Sequence, residues 1–138
     1  MKARTDKAIL KKYTSALMSN HKWKKLFSVM SGFMSGIAKI EYHFTHEEDT
    51  YYGNAPSIDQ VWDDAIDDPV YGIGGPMDYK YIESIFIPFS YSYRQYDKGP
   101  LVKREQPVKE FTAALQKVGQ FSLTETEDGI WVHGYKLT

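Results

Sequence analysis

YKYIESIFIPF, residues 79–89, is the stretch on which the fold turns. Tyr79, Tyr81, Ile85, Ile87 and Phe89 fall on one parity and Ile82, Phe86 and Pro88 on the other. A strand with one wet face alternates apolar and polar residues, whereas a strand covered on both faces need not. The stretch therefore predicts a central strand. Upstream, residues 37–45 do alternate. Ala38, Ile40, Tyr42 and Phe44 share one face, and Lys39, Glu41, His43 and Thr45 the other, as in a half-buried neighbour strand. Downstream, FSLTETEDGIWVHGYKL sets two strand-like runs around Asp128-Gly129, a strong hairpin signal.

The remaining apolar periodicity is helical. Thr5 is a reasonable N-cap for a first helix whose stripe is Ile9, Leu10, Tyr13 and Leu17. Ser19 or Asn20 caps a second, with Trp23, Leu26, Phe27, Met30 and Met34 at three-to-four spacing and Gly32 and Gly36 bracketing its end. A short helix is predicted over 57–68, with Pro56 before it and Ser57 and Gln60 spaced as a capping box. Its apolar side is Ile58, Val61, Trp62 and Ala65 or Ile66, and Pro69 stops it. VYGIGGPMD reads as a loop and SYSYRQYDKGP as a strand end or exposed loop. The last helix runs from Pro107 to Val118 on Val108, Phe111, Leu115 and Val118, with Gly119 as its stop. The expected order is α-α-β-α-β-α-β-β. It describes one small α+β domain spanning 1–138, a short, mostly antiparallel sheet packed by helices.

Bulk composition limits the function classes. A chain of 138 residues with 42% hydrophobic residues supports one domain with a sizeable core. No cysteine is present, which excludes disulfides, zinc-thiolate sites and thiol nucleophiles, and is compatible with a reducing cytosol. The basic N-terminus lacks a following apolar run, and IFIPF is too short to span a bilayer. The expectation is a cytoplasmic protein with no membrane partner.

The net charge of −1 hides a segregation. Residues 1–25 carry eight Lys or Arg against Asp6, and residues 41–78 carry ten acids and no Lys or Arg. Such asymmetry marks an interaction surface or a fold that pairs its own basic and acidic parts. Within the acidic segment lies HEEDTYYGNAPSIDQVWDDAIDDP, residues 46–69, and four readings of it compete. A metal site would need His43 and His46 to converge, but an odd spacing puts them on opposite faces of a strand. The acids also miss the calcium-loop pattern. A phosphate loop is rejected for GIGGPM, which lacks the lysine of a P-loop and precedes a strand rather than a helix. Catalysis finds no GxSxG and no thiol, and only folding could bring His43, His46 and His133 together. YSYRQYDK mixes cations with stacking surfaces, as nucleic-acid binders do, but the acidic segment would repel phosphates.

What remains is a choice between a solvated acidic face and a surface for a basic partner. On the predicted helix Asp59, Asp63 and Asp67 form one i, i+4 row and Asp64 and Asp68 another. Like charges so placed cost about 0.2–0.5 kcal/mol per pair. A helix selected for stability alone would avoid this. The sharper reading takes those five aspartates with Glu47, Glu48 and Asp49 as the steering charges of a partner-binding face. Tyr51, Tyr52, Tyr71 and Trp62 are its aromatic anchors. No metal and no cofactor are called for.

LMSNHKWKKLF, YIESIFIP and EDGIWVHGY resemble a bacterial family of small proteins of unknown function, through Asn20, Lys22 and Trp23, the strand 82–88 with Gly99, and Trp131, Gly134 and Tyr135. The resemblance covers about half of the chain, least of all its acidic middle. Small acidic proteins of this kind are similar to immunity proteins of polymorphic and contact-dependent toxin systems. What this implies is a cytoplasmic inhibitor of a cognate toxin, with a basic nuclease as the partner. A small enzyme using His43 or His133, or a nucleic-acid-associated adaptor, is the alternative.

Overall fold

The stretch predicted as central forms β6 (Ile82–Pro88), the middle strand of a five-stranded sheet in this computed structural model, which describes residues 13–137. Its neighbours are β2 (Ile40–Phe44) and β10 (Gly129–His133), flanked in turn by β3 (Thr50–Gly53) and β9 (Leu123–Glu125). The order β3-β2-β6-β10-β9 is antiparallel at every pairing. Burial on both parities follows from that position. Ile85 and Ile87 are fully buried on the inner face, and Phe86, on the outer face, is 8% exposed because the Trp131 ring lies 4.9 Å away.

Helix α1 (Asn20–Ser31) covers the inner face with Trp23, Leu26, Phe27 and Met30, all buried. Ser19 caps it, its hydroxyl accepting from the Lys22 N–H at 3.1 Å. The rings of Trp23, Phe27, Tyr42 and Phe44 follow one another at centroid spacings of 5.6, 6.3 and 5.9 Å, so helix and sheet share one aromatic stack. Met34, assigned to the same stripe, lies beyond the helix end and is 52% exposed. Helix α2 (Val108–Gln116) buries Val108, Phe111 and Leu115 as expected. Val118 falls outside the helix and is largely exposed. Gln106, buried just before α2, fills all four of its amide's hydrogen-bonding positions. It accepts from the N–H groups of Ala38 and Lys39 and donates to the carbonyls of Lys39 and Pro88, fastening α2 to both β2 and β6.

Two expected helices require correction. Residues 5–12 of the first lie outside the described residues. Tyr13–Ala16, meant to continue it, is instead strand β1, paired with β11 (Tyr135–Leu137). The helix over 57–68 is absent. In its place are a 3-10 turn (Ile58–Gln60), a bridge between Val61 and Ile66, and β4 (Ala65–Asp67) paired with β5 (Pro76–Asp78). Trp62 N–H donates to the Ala65 carbonyl at 2.9 Å, which makes Asp63-Asp64 the tip of a tight turn. Aspartate at a turn is comfortable where five aspartates in a helix are not. The order α-α-β-α-β-α-β-β therefore fails, and the described residues hold two α-helices. SYSYRQYDKGP, expected as a strand end or loop, opens a hairpin of β7 (Ser90–Arg94) and β8 (Leu101–Glu105). A second 3-10 turn (Tyr79–Tyr81) leads into β6. The architecture is α+β and mostly antiparallel, with one hydrophobic core. No helix among the described residues is long and apolar enough to cross a membrane.

Candidate functional site

The chain leaves the sheet at Gly53 and, after the 3-10 turn Tyr79–Tyr81, rejoins it at Ile82. Its own apolar residues hold it down: Ala65, Ile66, Val70 and Met77 are buried in or against the core. Gly53 is where the backbones meet. A Cβ there would stand 1.9 Å from the Pro69 carbonyl oxygen, so only glycine permits the approach. Tyr79 closes the excursion. Its hydroxyl donates to the Trp62 carbonyl at 2.7 Å, and burial, followed by the charges of Asp64 and Asp63, pushes the phenol above its ordinary pKa and keeps it a neutral donor.

With those residues inward, others face water. Tyr52, Ile58, Trp62, Tyr71 and Ile73 are all exposed large apolar side chains of this segment. Residues 54–60 and 68–74 enclose a cleft of about 640 Å³, lined by Asn54, Pro56, Gln60, Asp68, Tyr71 and Ile73 among others. Gln60 stiffens one wall, accepting from the Ser57 N–H at 2.9 Å and donating to the Asp67 carbonyl at 3.0 Å. The first bond is the half of the capping box that Ser57 and Gln60 were expected to make. The other wall is a loop with Asp68 at φ 49°, Gly72 at 92° and Gly74 at 76°, closed by the Asp68 N–H on the Gly75 carbonyl at 2.9 Å. Among the described residues Asp68 is the cleft's one charged lining residue. Asn54, Pro56 and Ile73 were missed in the sequence. The glycines of GIGG, read there only as turn-formers, were the signal that could have found this wall.

The twelve residues expected to bind a partner are scattered over β3, β4 and the turns around them. Asp68 and Tyr71 meet at the cleft, and the Tyr71 N–H donates to the Tyr52 carbonyl at 2.9 Å, which brings Tyr52 alongside. Glu47, Glu48 and Asp49 are exposed in the turn before β3, at the far end of that strand from Asn54. Four strand residues separate them from the cleft by about 13 Å. Tyr51 is half-buried on Phe44 and donates to Glu47 at 3.4 Å; burial, then Glu47 and Asp49, raises its pKa. Asp63 and Asp64 occupy the 62–65 turn, where Asp63 pairs with Lys24 of α1. The hydrogen bond from Lys24, then its charge, lowers the Asp63 pKa. Here the basic helix does meet the acidic face. Asp59 is exposed on the 3-10 turn, and Asp67 is partly covered in β4. Trp62, 43% exposed, stays available as an anchor.

The alternative sites also take shape. His43 and His133 both pair in register with Ser84, so folding does set two imidazoles on one sheet face. His46 is elsewhere, its ring 5.1 Å from that of Tyr81. His133 bonds Thr124 at 2.8 Å, whereas the buried Nε2 of His43 has no hydrogen-bond partner among the described residues. Among the described residues no group of His, Asp and Glu could hold a metal ion. On the β7–β8 hairpin, Arg104 is engaged internally, donating to the Tyr93 hydroxyl at 3.2 Å with its guanidinium 5.9 Å from that ring.

The fold and this face define a small α+β protein with an acidic, aromatic-bordered loop surface. No family model, no curated protein and no solved structure matches the chain, so function has to be argued from the site itself.

Proposed function

We propose that the chain is a protein-binding protein that docks a basic partner on the loop face between β3 and β5, and that it acts as an immunity protein neutralising a cognate toxin. One observation carries the docking: five large apolar side chains are exposed within a segment that bears ten carboxylates and no Lys or Arg. Exposed apolar groups rimmed by like charges serve association better than folding. The apolar groups supply anchors, and the carboxylates steer and select the partner. A nuclease suits such a face, since its phosphate-binding surface is cationic and an acidic protein would occupy it. The cysteine-free chain suits a reducing cytosol, the compartment this reading assigns to it.

The test begins with the protein encoded beside this chain. Co-expression should abolish that protein's toxicity, and the purified pair should associate at a rate that falls with salt. Replacing Asp63, Asp64, Asp67 and Asp68 together by Asn should slow association and flatten its salt dependence. Unchanged affinity and salt dependence would move the binding surface elsewhere, first to Tyr91, Tyr93, Arg94 and Tyr96.

A further inference from the structure

The protein-binding reading leaves open what the face grips, and the inference rests on that reading. We infer that the cleft between residues 54–60 and 68–74 receives an arginine side chain of the partner, with Asp68 taking the guanidinium and Tyr71 stacking against it. A volume of about 640 Å³ exceeds an arginine side chain alone, so the cleft also admits the backbone turn or chain end that carries it. Charge selects the ligand class. Among the described residues Asp68 is the single charged lining residue, no Lys or Arg occurs between residues 41 and 78, Lys24 is paired with Asp63, and Lys39 lies over the Tyr52 ring rather than in the cleft lining. The cleft lining therefore has a carboxylate and, among the described residues, no cation.

Shape narrows the cation to arginine. Tyr71 is 65% exposed, yet its hydroxyl donates to Asn54 Oδ1, which tethers the ring beside the cleft with a face free for a planar cation. Pro56, Val70 and Ile73 give the aliphatic stem an apolar bed. Asp68 is a short side chain on a backbone held by its own N–H to Gly75. A guanidinium can pair with such a carboxylate through two parallel bonds and stack at the same time, and it sheds water more readily than an ammonium.

The full-length ¹⁵N-labelled chain is titrated with acetyl-Gly-Arg-Gly-amide and with the same peptide carrying citrulline, its neutral isostere. Saturable shifts are expected in the amides of residues 54–60 and 68–75, with the citrulline peptide weaker by about tenfold. Asp68→Asn, which tolerates the left-handed backbone, should weaken the arginine peptide by about the same factor, and Asp63→Asn should not. Equal binding of citrulline, indifference to Asp68→Asn, shifts mapping elsewhere, or no shift up to about 10 mM peptide would overturn the inference. The two readings separate cleanly. Arginine binding in the cleft, with partner association unmoved by the fourfold Asn variant, which lacks the Asp68 carboxylate, overturns both the docking face and the partner's arginine and leaves a guanidinium site that the partner does not use. Loss of partner association in that variant, with citrulline equal to arginine, keeps the docking face and removes the site.

Discussion

Residues 107–118 and residues 57–68 look alike as strings: each is twelve long, has a proline at or just before its start, and carries an apolar residue every three or four positions. One is helix α2, and the other is a 3-10 turn, a tight turn and a short strand. Periodicity did not separate them; charge did. The first mixes Lys109, Glu110 and Lys117 with Ala113, Ala114 and Leu115, good helix formers. The second holds five aspartates, each costing about 0.6 kcal/mol relative to alanine in a helix, and its like-charge pairs add about 1 kcal/mol. A penalty of about 4 kcal/mol exceeds what a short helix recovers on its own, whereas turns accept aspartate readily. The lesson concerns function as well. The helical string packs its stripe inward, and the aspartate string leaves Ile58 and Trp62 outside.

Substitutions of apolar residues in the two strings sharpen this contrast. Leu115, fully buried, should cost about 2–5 kcal/mol as Leu115→Ala in urea unfolding, while Ile58→Ala, 58% exposed, should stay within about 0.5 kcal/mol. Equal losses would mean that the excursion is part of the core. Gly53→Ala comes next, since its methyl would collide with the Pro69 backbone, and about 1–3 kcal/mol is expected. Hydrogen exchange tells where that loss falls. Faster exchange confined to residues 65–78, with β2, β6 and β10 unchanged, marks the acidic excursion as a separately opening unit. Uniform acceleration would make the two regions one.

The smallest effect is at the seam between basic helix and acidic turn. The folded pKa of Asp63 is lowered by Lys24, so the pair's contribution is present above the ordinary aspartate pKa and is lost as pH falls through the lowered value. Asp63→Asn should therefore reduce the urea midpoint slightly at pH 7, and the difference from wild type should vanish in acid once the pH has fallen below the lowered pKa. Because the pair is exposed, added salt should shrink the difference too. A difference that grew in acid would reverse the assignment.

Much of the architecture was written locally. Apolar residues on both parities of 82–88 made β6 central, alternation made β2 half-buried, the hairpin expected around Asp128-Gly129 formed as β9–β10 with Glu127 and Asp128 as its turn and Gly129 already in β10, and two helices followed from their stripes. Each rests on contacts repeated within a few residues, which a string records. Sequence alone also determined the segregation of charge, with ten acids and no Lys or Arg in residues 41–78. Tertiary structure decided the rest. Whether Trp62 and Tyr71 face outward depends on which neighbours in sequence, Ala65, Ile66 and Val70, reach the core first, and that depends on strands far away. Gly53 lets the Pro69 backbone come close, and the scattering of the twelve expected residues over strands and turns follows from where β3 ends. Gln106, unremarkable as a letter, joins α2 to β2 and β6 because four backbone groups happen to converge on it. Such contacts bring together residues many positions apart, and no local period encodes them.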